Sequence, residues 1–569
     1  MPLKFLRRVN RFSSRSDRQS DVFAEDAFAA VSTPDFQSYV ARIATEWHRP
    51  SADQHLLEEN LMKYDNNLPA RCVDGDYLAI LKKTLDELRP SQRIIPLTLG
   101  AAAKNSRMPR TTSPGFPWVT QGYQSKADVL DDRASMGKIH RAWDSIGRGI
   151  PWQLPDSLAF NRVVASEKER TKIRPVWGYP LDVIVEEARF FFPLMEHLEQ
   201  KNNEDDTFYG LGMETMRSGH EHLARNMVSD VLCLAADFTS FDTNVTNWII
   251  RDVFSLVSDW FDFSKVKDSE GKTWNVNPDQ TARRWKAMVS YFVNTKIRTS
   301  RGVRVQKSSG VPSGSMFTNF IDTAVNAVQM RTAIRRVSGD LPLKDYYYGD
   351  DSAIFLDCHI DMEALASVLK TIFGGELSVD KTILSSNVDN IHWLGYFYRV
   401  GGPRRSFDFI IASTLFPERP VESALDSCAR LLGQLYSCMD PKLCGVFYDA
   451  IKWIMDKHDI SEKRLNEYTT TRPSKAFKYL TTLGIDIQEV VLPSYQLDPF
   501  GGRFFPLLMP RPSPRRFIRA RDRNLPEFAF IPEAYSNHAL RYSGFHDYDL
   551  YRHTTFFDER EIDEAYFTD

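Results

Sequence analysis

The sequence has no Cys-x-x-Cys pair, and its six cysteines, Cys72, Cys233, Cys358, Cys428, Cys438 and Cys444, are scattered. Thiols spread in this way argue against a structural zinc site and lead us to expect a reducing compartment. No apolar run comes near the roughly 18 residues that a membrane-spanning helix needs, so none is expected. Charge of one sign is missing too: 72 Lys and Arg face 75 Asp and Glu, a formal net charge of -3. Without a global basic excess, binding to a polyanion has to rest on local patches. Internal repeats and long low-complexity tracts are also lacking. What is present, 569 residues with 42% hydrophobic side chains, suffices for a large, multi-lobed globular chain.

The amino-terminal KFLRRVNRFSSRSDR imitates a transit peptide, but acidic residues from Asp17 onward favour a disordered basic arm able to touch RNA. Helical periodicity follows in HLLEENLMKY, then a loop of small and rigid residues, RTTSPGFPW (Arg110 to Trp118). SEKERTKIRPVWGYP (Ser166 to Pro180) is basic, and its later residues alternate as in a strand. LDVIVEEARFFFPLMEHLEQ reads as an amphipathic helix ended by KNNEDD. VLCLAADFTSFDTNV holds an apolar run that suits a buried strand ending at Asp237, and helical spacing resumes from Trp248 to Trp260. About residues 260–305 the chain reads as a polar insertion. A helix, a hairpin, another helix and a strand come next, then helices beyond residue 401 and a carboxyl end that is first basic, then acidic. This order predicts an α+β fold around an antiparallel sheet.

YYYGDDSAIF (346–355) places two aspartates in the middle of an apparent buried strand pair. A tight turn explains Gly-Asp, but two adjacent carboxylates call for a positive partner. Asp237, at a strand end far upstream, would give with Asp350 the hard oxygen ligands that magnesium or manganese prefers. Two such ions activate an attacking hydroxyl and stabilise the leaving oxygen in phosphoryl transfer. Asp242 is either a helix N-cap or an acceptor for a ribose 2′-hydroxyl.

In SSGVPSGSMFTNFIDTAVNA, Gly310, Pro312 and Gly314 describe a tight loop before a helix. Thr318, Asp322 and Asn326 form a polar stripe along that helix, facing either solvent or substrate. Lys168, Arg170, Lys172 and Arg174 read as a solvated strand face or as a triphosphate clamp. Lys381, in ELSVDKTILSS, is a surface lysine or a general acid beside a departing pyrophosphate. The GHEH histidines His220 and His222 read as a wet helix face, because no third ligand motif accompanies them.

Together these motifs resemble the viral RNA-dependent RNA polymerases, and most closely the partitivirus group of double-stranded RNA viruses. DFTSFDTNV, SGVPSGSMFTNFIDTAVN and YYYGDDS resemble the first three palm motifs in order, ELSVDKT and IHWLGYFYR the fourth and fifth. KERTKIRPV is similar to the nucleotide-channel motif and TSPGFPW to the template-entry motif. Seven motifs in order make chance a poor explanation. The resemblance covers roughly residues 105–400.

That resemblance implies a right-hand fold of fingers, palm and thumb, with an antiparallel palm sheet and a largely helical thumb. Its divisions would be 1–95, an extension bridging fingers and thumb; 96–177, fingers; 178–258 and 306–400, palm; 259–305, a fingers insertion; and 401–569, thumb and carboxyl-terminal extension. By motif position, Asp237 and Asp350 would hold two Mg2+ or Mn2+ ions with Asp351 assisting, and Lys381 would donate a proton. Asp242 would select the ribose with Ser313 and Thr318, in a nucleotide site that also includes Gly314 and Asp322. Arg174, with Lys168, Arg170 and Lys172, would meet the incoming nucleotide, and Ser113, Pro114 and Gly115 the template. Many positive-strand members carry asparagine at the position of Asp322, which leaves the detail of hydroxyl recognition open. The implied partners are template and product RNA, ribonucleoside triphosphates and viral capsid protein, with no membrane, in the virion and host cytoplasm.

Two rival readings stand beside this one. A reverse transcriptase shares the palm but uses a bulky gate against ribose, whereas Asp242 and the Ser-Gly…Thr pattern point the other way. A non-enzymatic RNA-packaging protein would have no need for Asp237 and Asp350.

Overall fold

A computed structural model describes residues 3–12, 20–50, 54–170, 173–215, 219–398, 403–418, 420–438, 441–471, 480, 483–485 and 490–492. Both charged carboxyl-terminal segments lie outside the described residues. At the centre is a four-stranded sheet in the order Lys344–Tyr348, Asp351–Leu356, Leu232–Ala235, Ile383–Ser385, antiparallel at every pairing. Side chains alternate across it as a strand's period of two demands. Leu234, Ile354, Leu356 and Tyr347 enter the main core, while Cys233, Phe355, Ala353 and Tyr346 enter a smaller one on the other face with Leu223 and Trp393.

The 21-residue helix Thr318–Ser338 covers the first face. It is buried on all sides from Phe320 to Ile334, and Gly339 ends it in the left-handed conformation at φ +88°. A second long helix, Leu181–Glu204, packs on the helices Leu99–Lys104 and Pro278–Val293. The helix ends inside KNNEDD, at Glu204, as expected. Its first half, however, is buried rather than two-faced. Its glutamates are satisfied internally: Arg189 and Arg284 pair with Glu186, and Ser315 with Glu187.

A five-stranded sheet joins Leu3–Phe5, Arg304–Lys307, Lys296–Arg298, Ser157–Val163 and Ile173–Gly178. The amino terminus is therefore not a disordered arm over residues 3–12. Leu3–Phe5 pairs antiparallel with Arg304–Lys307, and the backbone N–H groups of Val9 and Phe12 donate to Gly302 and Ser300 at 3.0 and 3.1 Å. The presumed polar insertion also has structure of its own: a hairpin, Lys265–Lys267 with Thr273–Asn275, then the amphipathic helix Pro278–Val293, whose Trp285, Met288 and Phe292 enter the main core.

Helices Phe407–Leu415, Ala424–Cys438 and Pro441–Lys457 build a second core, which also takes Phe28, Ile43 and Trp47 from the amino-terminal region. Asp21 accepts from Ser427 and pairs with Arg430 there. Farther along, helix Gly75–Asp86 packs on Thr318–Ser338. The first ninety or so residues thus touch both cores. Among the described residues, no helix is long and apolar enough to cross a membrane.

Candidate active site

The hairpin turn is built from Gly349 and Asp350, between the paired residues Tyr348 and Asp351. Gly349 sits at φ +63°, a conformation open to glycine at little cost, as two-residue hairpin turns require. Two side chains of the covering helix fix this turn. Asn326 Nδ2 donates to the carbonyls of Gly349 and Asp350 at 3.0 and 2.9 Å, and Thr323 Oγ1 accepts from Gly349 N–H at 2.8 Å. Thr318, Asp322 and Asn326 are all buried, so their stripe is not an open solvated face. For Asn326 the backbone of the hairpin takes the place of solvent.

Extending the register Ile354↔Leu234 by three residues sets Asp237 level with Asp351. Ala236 N–H donates to Ser352 Oγ at 3.3 Å, which continues the contact between the strands. Asp237, Asp350 and Asp351 therefore share one end of the sheet. Asp350 is exposed and Asp351 partly so. The turn before Ile383–Ser385 closes the group: Thr382 Oγ1 accepts from Asp237 N–H at 3.2 Å, and Ser378 N–H donates to its carbonyl at 2.8 Å. Lys381 Nζ lies 3.9 Å from Asp237 Oδ2, both side chains half-exposed.

Open carboxylates from adjacent strand ends fit a hard cation. Among the described residues no group of three or more His, Cys, Asp or Glu side chains stands close enough to hold a metal ion. Magnesium does not need such a group, since it binds through one or two carboxylates and completes its shell with water and phosphate oxygens.

Beside the carboxylates lies the loop that leads into Thr318–Ser338. Val311 N–H donates to Asp242 O, and Gly310 N–H to Val245 O, each at 2.8 Å. Asp242 itself is partly buried. A Cβ on Gly314 would stand 2.0 Å from the Trp177 carbonyl, so only glycine allows this approach. Ser313 Oγ accepts from Trp177 N–H at 3.2 Å, and the Thr318 hydroxyl lies 2.8 and 2.7 Å from the Pro312 and Ser315 carbonyls.

Ile173–Gly178 brings the basic segment to the same place. Arg174 is partly buried opposite Arg162 in the strand pair, while Lys168 is exposed in a short 3-10 turn, Lys168–Arg170. Lys172 and the side chain of Arg170 lie outside the described residues. The Ser113–Pro114–Gly115 loop docks next to this strand. Pro114 O accepts from Leu181 N–H at 2.9 Å, Ser113 Oγ accepts from Gly115 N–H at 3.3 Å, and a Cβ on Gly115 would meet Tyr179 O at 2.6 Å.

Sequence reasoning missed three residues under the loop. Lys307 is fully buried and donates to the carbonyls of Phe292, Val293 and Gly310 at 2.6, 3.1 and 2.7 Å; burial pulls its pKa well below the usual lysine range. Tyr64 is buried against Gly310 and donates to Val311 O at 3.2 Å. Glu187 accepts from Ser315 Oγ at 2.7 Å and Met316 N–H at 2.8 Å. No local pattern marks any of them, since each owes its place to a remote segment.

Burial pushes Glu187 up to about 8, against the hydrogen bonds from Ser315 and Met316. The folded chain then holds a proton that the unfolded chain releases near 4.5. Stability falls as pH rises from the unfolded value through the folded one. Glu187→Gln copies the protonated acid at every pH. In urea unfolding between pH 5 and 8, its advantage over the parent should therefore grow by up to about 1.4 kcal/mol per pH unit. An advantage that does not change with pH would contradict a buried neutral acid.

His220 and His222 are corrected outright: both are buried, not on a wet face. His222 Nε2 lies 2.9 Å from Asp206 Oδ1 and 3.0 Å from Tyr346 Oη, and His220 Nε2 lies 3.1 Å from Tyr396 O. They tie the short helix Gly219–Ala224 to the back of the hairpin, and burial lowers His220 to about 4.

An antiparallel sheet with carboxylates on two neighbouring strand ends, beside a glycine-bearing loop and a basic strand, is the architecture of a template-directed polymerase. A family model described as viral RNA-dependent RNA polymerase matches residues 26–404, and the chain belongs to that family. The family implies the right-hand polymerase fold. The RNA-directed RNA polymerase of Atkinsonella hypoxylon virus (isolate 2H) is 26% identical over 311 residues, 48% of this chain and 46% of the relative. That of Cryptosporidium parvum virus 1 (strain KSU-1) is 26% identical over 426 residues, 68% of this chain and 75% of the relative. A genome polyprotein of bovine enteric calicivirus Newbury agent-1 is 22% identical over 328 residues, 54% of this chain and 14% of that protein. The chain thus spans under half of the first relative and three quarters of the second. The first comes from a partitivirus and the second from a partitivirus-like double-stranded RNA virus, in agreement with the sequence resemblance.

Proposed function

We propose that this chain copies an RNA template from ribonucleoside triphosphates by two-metal-ion nucleotidyl transfer, replicating and transcribing a viral double-stranded RNA genome. The observation that carries this reading is the register that sets Asp237 level with Asp351, with Asp350 on the turn beyond and Lys381 3.9 Å from Asp237. In it, Asp237 and Asp350 would hold the ions and Asp351 would assist. Bound Mg2+ or Mn2+ would supply activation of the attacking 3′-hydroxyl and charge stabilisation of the leaving oxygen. Lys381 gives its proton to the departing pyrophosphate.

Lys168, Arg170, Lys172 and Arg174 clamp the triphosphate. Asp242 accepts a hydrogen bond from the ribose 2′-hydroxyl, in a pocket shaped by Ser313, Gly314, Thr318 and Asp322. Ser113, Pro114 and Gly115 line the template's path. Residues 178–258 and 306–400 form the palm in this scheme, 96–177 and 259–305 the fingers, and 401–569 the thumb and its extension. The enzyme works with capsid protein in the particle and in the host cytoplasm.

Purified protein with an RNA template, labelled ribonucleotides and Mg2+ or Mn2+ should give template-length product that EDTA abolishes. No product under varied template, metal and salt would sink the reading. Preference for deoxynucleotides would replace it with reverse transcription.

A further inference from the structure

A strap from the amino-terminal region, outside every motif, crosses the proposed sugar site. Contacts from four of its residues pin it. The Tyr64 hydroxyl donates to Val311 O at 3.2 Å. Asn66 Nδ2 donates to Asn244 Oδ1 at 2.7 Å and to Thr243 O at 3.3 Å. Pro69 O accepts from Trp248 Nε1 at 3.2 Å, and Arg71 pairs with Asp252 at 2.8 Å. Two of these contacts bracket Asp242: Asn66 holds the residues that follow it, and Tyr64 holds the loop residue whose N–H donates to the Asp242 carbonyl.

The fit around Tyr64 is close. Gly310 adopts φ +75°, and a Cβ there would lie 2.6 Å from the tyrosine ring and 2.8 Å from Asp242 O. The ring also packs edge-on against Trp177, centroids 5.3 Å apart. Burial first, then the charges of Asp242 and Asp322, push the Tyr64 hydroxyl well above its usual pKa, so both carboxylates bear on the same neutral phenol.

We propose that Tyr64 and Asn66 are specificity-determining positioning residues, which hold the Phe241–Asn244 turn against the Gly310–Pro312 loop so that Asp242 meets the sugar at a fixed distance. This rests on the reading of Asp242 as the 2′-hydroxyl acceptor. A hydrogen bond to a substrate hydroxyl discriminates only while its acceptor is held in place, since a loosened acceptor also tolerates the analogue that lacks the hydroxyl. Neither residue touches substrate in this scheme. Both act through Asp242.

The test compares kcat/KM for ATP and 2′-deoxy-ATP in full-length parent, Asp242→Ala, Tyr64→Phe and Asn66→Ala, with melting temperatures alongside. Asp242→Ala should lower the ribose preference by about tenfold or more. Tyr64→Phe and Asn66→Ala should each lower it by about two- to tenfold, the worth of one or two hydrogen bonds, chiefly by raising KM for ATP. A merely structural role would reduce turnover of both nucleotides equally, and that result overturns the proposal. So does a preference that changes in Asp242→Ala but in neither strap variant. If Asp242→Ala leaves the preference intact, the reading of Asp242 itself fails and the proposal falls with it. Asn66 is partly exposed, so its variant reports even where Tyr64→Phe is unstable.

Discussion

Asp350→Asn is expected to reduce RNA synthesis by about a thousandfold or more while leaving thermal unfolding unchanged, because it removes one of the two proposed metal-holding charges. The side chain is exposed on the turn, and the turn is held through backbone carbonyls by Asn326 and through Gly349 N–H by Thr323. The amide keeps the shape and loses the charge, so stability should move by less than about 0.5 kcal/mol. Asp237→Asn should do the same. Combining the two should cost little more than either alone, since they act as a unit. Asp351→Asn should cost less, in keeping with an auxiliary role, and extra Mn2+ should recover part of its loss. Primer extension with the single and double variants checks all four statements. Substantial activity in Asp350→Asn, or a heavier loss in Asp351→Asn than in Asp350→Asn, contradicts the assignment.

The strand into Asp237, the Gly349–Asp350 turn and the glycine-bearing loop were legible because each writes its structure locally. An apolar run ends at a polar residue, a glycine takes a positive φ, and a helix follows Gly-x-Pro-x-Gly. Where reading failed, the deciding contact lay elsewhere in the chain. Leu3–Phe5 is three residues long, too short for alternation to show, and becomes a strand only because Arg304–Lys307 offers an edge. A six-residue helix has no useful periodicity either, so His220 and His222 read as wet until Asp206, Tyr346 and Tyr396 supply their partners. The helix read as amphipathic buries Glu186 and Glu187: Glu186 meets Arg189 one turn on and the distant Arg284, and Glu187 meets the loop donors Ser315 and Met316. In the two helices, polar residues assigned to water instead met hydrogen-bonding groups, most of them remote in sequence.

The helix Thr318–Ser338 shows why such burial matters for the site. Its first turn carries Thr318 under the loop, its second Asp322 and Thr323, its third Asn326 beneath the Gly349–Asp350 turn, and its fourth Arg331. One rigid element thus spaces the Gly310–Pro312 loop from the hairpin. A shift of this helix would move both halves of the site at once, which a carboxylate pair on flexible loops would not survive.

Arg331→Met is therefore predicted to be the most damaging substitution for the fold, at about 3–5 kcal/mol. The guanidinium is buried and grips Asp345 through two bonds of 2.7 Å, with Thr84 at 3.1 Å and Glu87 at 2.6 Å on its other side. Asp345 also accepts from the Tyr347 hydroxyl at 2.9 Å, and it lies in the strand that carries the turn with Asp350. Burial alone would raise the Asp345 pKa, but the charge and hydrogen bonds of Arg331 more than offset it and hold the carboxyl below its ordinary value of 3.8. In the parent, the stability from this depressed pKa is present above the unfolded value and is lost as pH falls through the folded one. Methionine removes the cation and leaves burial in charge, so Asp345 keeps its proton to higher pH. The deficit of the variant should then be largest near pH 7.5 and shrink toward pH 5 in urea unfolding. Adding Asp345→Asn to Arg331→Met should recover a large part of the loss, because the stranded charge is gone. A deficit independent of pH, or a double variant no better than the single one, would mean that packing rather than charge sets the cost. RNA synthesis should fall with the folded fraction and return on cooling, which separates this variant from Asp350→Asn, whose loss persists in fully folded protein.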